Sequence, residues 1–111
     1  METVTERIRE GRSCDPAEIL AQIGMGVILA TSGGRVAVIH DAEGYAIGVA
    51  LPCATNRTVE VTLAFSDTYT VRRYRQIVNG ANRGSFVVEW HADEIYCDQV
   101  SEAVYTAGCW Q

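Results

Sequence analysis

Between residues 25 and 90 the apolar pattern changes from a helical period to a period of two, which points to a sheet of half-buried strands. Residues 58–65 show it most cleanly. Val59, Val61, Leu63 and Phe65 share one side, while Thr58, Glu60, Thr62 and Ala64 share the other, which predicts an antiparallel strand with one wet face. Ser66-Asp67 then reads as a turn, residues 68–77 as the returning strand, residues 79–84 as a polar hairpin loop, and Phe86, Val88 and Trp90 as a last inward set. Upstream, residues 27–31 read as a short apolar strand, Ser32-Gly33-Gly34 as its turn and residues 35–40 as its hairpin partner. After a turn at Asp41-Ala42-Glu43-Gly44, the set Tyr45, Ile47, Val49 and Leu51 alternates with the small Ala46, Gly48 and Ala50, until Pro52 ends the strand. Every connection is short, so each strand is expected to pair with its sequence neighbour as a meander.

The two ends carry a helical period. Thr3 can cap a short helix reaching Arg9, with Val4 and Ile8 on one face, before Gly11 and Arg12 interrupt it. Asp15-Pro16-Ala17-Glu18 is a stronger start signal, with an N-cap carboxylate, proline at the first helical position and an acid at the third. It predicts a helix over residues 16–23 that buries Ile19, Leu20 and Ile23 and stops at Gly24. At the other end a helix begins near Asp93. Cys97, Val100, Ala103, Val104 and Ala107 form its apolar stripe, and Gly108 stops it. The expected fold class is α+β: an antiparallel meander sheet of five or six strands flanked by N-terminal helices and a C-terminal helix. A chain of 111 residues suffices for one domain, 1–111, with residues 1–14 a loosely attached N-terminal helix.

Charge narrows the partners. Nine arginines, with no lysine, stand against fourteen acids, giving a net charge of −5, and affinity for nucleic acid at large comes from accumulated basic residues. Cys14, Cys53, Cys97 and Cys109 contain no closely spaced ligand pair, so neither a metal site nor a cofactor is expected, and the thiols read as small apolar fillers. The first twenty residues alternate in charge around no apolar core segment, and no run is long enough to span a bilayer. The expected location is cytoplasmic, away from membranes. No glycine pattern forms a phosphate-binding loop. His40 and His91 are isolated from any nucleophile pattern, and His91 with Asp93 is the one pair that hydrolytic chemistry could use.

Two clusters remain. On a helix, Glu94, Asp98 and Glu102 would align at i, i+4 and i+8, and with Asp93 they would form an acidic face suited to a basic protein surface; a plain solvated helix face accounts for the same spacing. Residues 70–75 place Arg72 and Tyr74 on one side of a strand and Arg73 and Arg75 on the other. Arg72, Tyr74 and Arg75 could stack on bases and clamp phosphates of a single strand. The same arginines could guard a sheet edge, or tie the C-terminal helix to the sheet through its acids.

Ser66-Asp67-Thr68-Tyr69-Thr70-Val71, followed by Ile95-Tyr96-Cys97-Asp98-Gln99-Val100, resembles the D-T-Y-x-V … Y-x-D-Q motif pair of small proteins encoded by bacteriophages, prophages and plasmids. Residues 19–24 resemble their N-terminal region, and the likeness spans roughly residues 17–107; Arg73 departs from it, standing where those proteins tend to carry an apolar or aromatic residue. The resemblance implies an accessory protein of a mobile element acting inside a bacterial cell. It carries no activity to transfer. Physically, Tyr69 and Val71 are expected to pack under the C-terminal helix, with Asp67 and Asp98 as acceptors for turn amides or neighbouring arginines, so that alanine at Asp98 lowers the melting temperature.

Taken together, these features point to a non-enzymatic protein that binds a host or phage protein through Asp93, Glu94, Asp98 and Glu102. Inhibition of a host defence nucleoprotein complex is one specific form. The alternative is a single-stranded nucleic-acid-binding module using Arg72, Tyr74 and Arg75. A sheet edge or the aromatic Trp110 offers a route to a homodimer.

Overall fold

Asp15 starts the first helix as its side chain requires: Oδ1 accepts the Ala17 N–H at 3.0 Å, and Pro16 occupies the first position of α1 (Pro16–Ile23). The structure is a computed structural model and describes residues 2–108, apart from the Glu2 side chain. Ahead of α1 lies β1 (Glu2–Val4), and behind it a second helix, α2 (Met25–Ser32). The chain then runs through β2 (Ala37–His40), β3 (Ala46–Ala54), β4 (Arg57–Leu63), β5 (Tyr69–Gln76) and β6 (Phe86–Ile95) into α3 (Val100–Gly108). All pairings are antiparallel, and the sheet order is β1-β6-β5-β4-β3-β2: a five-strand meander with β1 added on the far edge. This is the α+β meander with N-terminal and C-terminal helices that the patterning predicts.

One side of the sheet holds the main core. Val49, Leu51, Val59, Val61, Tyr69 and Val71 meet Ile19 and Ile23 of α1, Ile28 of α2, and Val100, Ala103, Val104 and Ala107 of α3. Alternation in the strands and the i, i+3, i+4, i+7 stripe of α3 thus meet on one surface.

Two sequence-based expectations fail at the N-terminal end. Residues 3–9 form no helix: β1 pairs Glu2 with Val88, Thr3 with Val87 and Val4 with Phe86. Thr3, Val4 and Thr5 are β-branched, and so short a helix cannot offset its nucleation cost. Nor is the segment after it loosely attached. Residues 5–15 cross the sheet face opposite the helices, where the Ile8 N–H donates to Tyr74 Oη at 3.0 Å, Arg12 N–H to the Leu63 carbonyl at 2.7 Å and Cys14 N–H to the Ala46 carbonyl at 2.9 Å. The strand face predicted to be wet is therefore dry, with Glu60 2% and Thr62 3% exposed beneath this strap.

Residues 27–31 form the interior of α2 and not a strand, since a five-residue apolar run does not distinguish the two by period. Ser32-Gly33-Gly34 is the end of that helix: Gly33 takes the left-handed conformation at φ 66°, and its N–H returns to the Leu29 carbonyl at 2.9 Å. Residues 37–40 consequently pair with β3 alone. Phe65, expected inward, is 80% exposed because the strand ends at Leu63 and the chain turns. β3 continues past Pro52 to Ala54 through an irregular pairing with β4. At the C-terminal end β6 runs to Ile95, so Asp93 lies in a strand and Cys97 in the following turn, exposed.

Gly48 is where β3 and β4 come closest. A Cβ there would overlap the Val61 carbonyl oxygen and lie 2.9 Å from Thr62 Cα, both backbone atoms that cannot rotate away. Gly48→Ala is expected to cost about 3 kcal/mol, whereas Gly26→Ala, which meets nothing within 4 Å in α2, is expected to add about 0.5 kcal/mol. Denaturant unfolding of the two variants checks both signs; equal midpoints would contradict the close approach.

Candidate functional site

The arginines are largely committed to two carboxylates, Glu60 buried and Glu89 partly buried, and this decides which charges are left for partners. On the strap side, Arg9 Nη1 donates to Glu60 Oε1 at 2.7 Å and Arg7 Nη1 lies 3.3 Å from Oε2. Arg72, opposite Glu60 in the β4–β5 register, adds its field. Burial pushes the Glu60 carboxyl up, and the attraction of Arg9, Arg7 and Arg72 only partly opposes it. On the helix side Glu89 is the extra residue of a β-bulge, since Arg73 pairs with Trp90 but Tyr74 with Val88. Its carboxylate accepts from Arg57 Nε at 3.0 Å, Arg73 Nε at 3.1 Å and Arg75 Nε at 3.0 Å. Burial opposes its charge, but hydrogen bonds from Arg57, Arg73 and Arg75 prevail and hold the carboxyl below the usual range. Arg73 also donates through Nη1 to the Ala107 carbonyl at 2.9 Å, so it does tie α3 to the sheet, and among the described residues it does so through the helix backbone. Arg12 pairs with Asp67, and Arg35 Nε donates to the Ser32 carbonyl at 3.2 Å.

The acidic residues read as one helical stripe are arranged differently. Asp93 and Glu94 form a bulge near the end of β6, with Glu94 at φ 56°; Asp98 lies in the turn and Glu102 on α3, and all four are exposed. The i, i+4, i+8 alignment therefore does not exist, because β6 keeps pairing with β5 up to the Tyr69–Ile95 partners. What survives is an acidic end of the molecule around the β6–α3 connection. Among the described residues, no arginine lies within ion-pair distance of these four carboxylates, and His91 Nε2 stands 3.9 Å from Asp93 Oδ2. Between β6 and α3 runs a shallow groove of about 280 Å³ lined by Trp90, Ala92, Ile95, Gln99, Glu102 and Ala103, and Tyr96 is exposed beside it.

The aromatic residue proposed to stack on bases is not accessible. Tyr74 is 1% exposed, and its hydroxyl is engaged by the Ile8 N–H. Arg72 faces Glu60 across the register and Arg75 is bonded to Glu89, so the three residues share no open surface. His40 is exposed on β2; His91 is exposed on β6, opposite Arg72 in the register and with Asp93 beside it. Cys14 and Cys97 both line a pocket of about 450 Å³ with Tyr69, Gln22 and Glu18. Burial, with Asp15 and Glu18 alongside, pushes the Cys14 thiol up, and burial does the same to Cys53, so neither is poised as a thiolate. Cys14 and Cys53 pack at the core margin as fillers; exposed Cys97 does not, and Cys109 lies outside the described residues, as does Trp110. Among the described residues no three His, Cys, Asp or Glu side chains are placed to hold a metal ion, and no helix is long and apolar enough to cross a membrane.

The two short motifs meet in space. Tyr69 and Val71 share the core with Val100, Ala103 and Val104 of α3, as expected, and Tyr69 Oη donates to Gln22 Oε1 at 2.6 Å. Asp67 is held by Arg12 of the strap. Asp98 is exposed, and among the described residues it makes no hydrogen bond; the turn is closed by Gln99, whose Oε1 accepts the Tyr96 N–H at 3.3 Å. From the sequence Glu60 is expected on a wet strand face and Glu89 has no expected role. The available signals were an acid inside the most regular apolar strand and the Arg7-x-Arg9 and Arg73-x-Arg75 alternations. Comparison with protein-family models, with curated proteins and with solved structures finds no match.

Asp98→Ala is now expected to leave stability within about 0.5 kcal/mol, whereas Tyr69→Phe costs about 1 kcal/mol, both read from thermal or denaturant unfolding. Glu60 and Glu89 give opposite pH signatures. The folded chain retains the Glu60 proton after the unfolded chain has released it near pH ~4.3, so the Glu60 contribution favours folding at low pH and disappears as pH rises through its folded value. The Glu89 contribution is present above pH ~4.3 and is lost as pH falls through its depressed folded value. Relative to the parent, Glu60→Gln should therefore gain melting temperature as pH rises above that point, whereas Glu89→Gln should match the parent at low pH and fall below it as pH rises toward that point; parallel curves would refute the assignment.

Proposed function

We propose that this chain is a non-enzymatic accessory protein of a bacteriophage or other mobile element, acting in the cytoplasm of its bacterial host by docking its acidic β6–α3 end on a basic surface of a host or phage protein. The observation that supports this reading is charge left over. Seven of the nine arginines are drawn to Glu60, Glu89 and Asp67, while Glu94, Asp98 and Glu102 stand exposed with no cation paired to them among the described residues. Exposed carboxylates steer association with a basic partner, and Tyr96 beside them supplies apolar contact with a polar tip. A surface of this kind can compete with nucleic acid for an arginine- or lysine-lined channel, which is how it would inhibit a host defence nucleoprotein complex. The mobile-element origin rests on the D-T-Y-x-V … Y-x-D-Q resemblance alone.

The experiment is affinity capture from a bacterial lysate treated with nuclease. One protein at fixed stoichiometry is expected, lost on Asp98→Lys with Glu102→Lys while the melting temperature stays unchanged. Recovery that depends on nucleic acid, or oligonucleotide binding that weakens steeply with salt, would replace this reading with the nucleic-acid one.

A further inference from the structure

β2 is the outermost strand on its side of the sheet, bonded to β3 and to no other strand. Ala37-Val38-Ile39-His40 carries no lysine or proline, and the irregularity beside it places the extra residue, Ile47, on β3, so the β2 edge itself is regular. Lysine, proline and an edge bulge are devices by which exposed edges resist strand addition; of the usual devices β2 keeps its shortness, four residues. Next to this edge the surface is apolar. Helix α2 carries apolar residues around its whole circumference, the pattern of a helix with no face meant for water, yet Met25 is 66% and Leu29 55% exposed. Leu29 reaches toward Gly34, and Val36 and Val38 are both exposed alongside. Exposed apolar residues thus lie on α2, on the connection after it and on β2 itself.

The charges at the two ends of the strand say what fits it. Arg35 precedes β2; Asp41 and Glu43 follow it. A two-fold axis perpendicular to the sheet turns β2 antiparallel to itself, with either Val38 or Ile39 on the axis. Either choice brings the Arg35 end of one copy against the Asp41–Glu43 end of the other, twice per pair. Parallel pairing would set like charges together. The edge is therefore complementary to itself in backbone direction, in apolar content and in charge.

We propose that two copies of this chain join β2 to β2, merging their six-stranded sheets into one continuous sheet and closing Leu29, Val36 and Val38 against the partner. The acidic β6–α3 end lies across the sheet from this edge, so pairing presents two docking surfaces per assembly, and the dimer stands whether or not that docking reading does.

Sedimentation equilibrium over a concentration range tests it. The expected mass is twice the 12.1 kDa of the chain. Val38→Lys, at an exposed position that leaves the fold intact by circular dichroism, is expected to weaken the dimer about tenfold or more. Arg35→Glu and Glu43→Arg should each weaken it, and the double variant should recover most of the loss. A chain that stays monomeric up to its solubility limit overturns the proposal. So does a dimer indifferent to Val38→Lys, a charge pair that fails to compensate, or a strand of another protein taking the edge of a monomer.

Discussion

A carboxylate at the middle of a sheet face cannot stay ionised there unless cations are brought to it, and Glu60 imposes that condition on the whole molecule. It lies in β4, flanked by β3 and β5, on the face that the three helices leave open. The N-terminal segment answers by crossing that face in extended form, so that alternate residues Arg7 and Arg9 point at the acid. A helix over the same residues could not do this while also adding β1 to the far edge of the sheet. The strap in turn explains why Thr62 and Tyr74 are buried and why the sheet is dry on both sides.

Glu89 does the corresponding work on the opposite face. A bulge in β6 turns its carboxylate into the space between Arg57, Arg73 and Arg75, linking three strands through one acid. Because Arg73 also reaches the Ala107 carbonyl, the same cluster anchors the end of α3, whose first turn is anchored through Val100 over Tyr69 and Val71. Two acids of opposite titration behaviour, one buried and one partly buried, thus hold the two coverings of one sheet.

The consequence for function is a separation of charge. Guanidinium groups that might have gripped phosphate are turned inward or along the sheet, and the exposed charge at the β6–α3 end is negative. This distribution favours the proposed docking on a basic partner over binding of a nucleic acid, whose affinity depends on accessible cations. At the β2 side the exposed surface is apolar, and the two regions suit different kinds of contact.

Local chemistry alone settled much of this. The Asp15-Pro16-Ala17-Glu18 start fixed α1 because capping needs only neighbouring backbone amides. Period-two runs joined by short turns left β2 to β6 little choice but a meander, and the stripe of Val100, Ala103, Val104 and Ala107 determined which face of α3 is buried. Where two structures of equal local cost competed, only packing decided. Residues 27–31 became helix because the layer over β3 had room for one, and residues 2–15 became strand and strap because β6 offered an edge and Glu60 a charge. The acidic end shows the same division. Its residues were legible as unpaired acids, but their arrangement was not, since a bulge in β6 is set by pairing with β5 and not by the residues that bulge. Charges separated by fifty or more positions, such as Arg9 and Glu60, meet only after the sheet has formed, and no local pattern encodes that meeting.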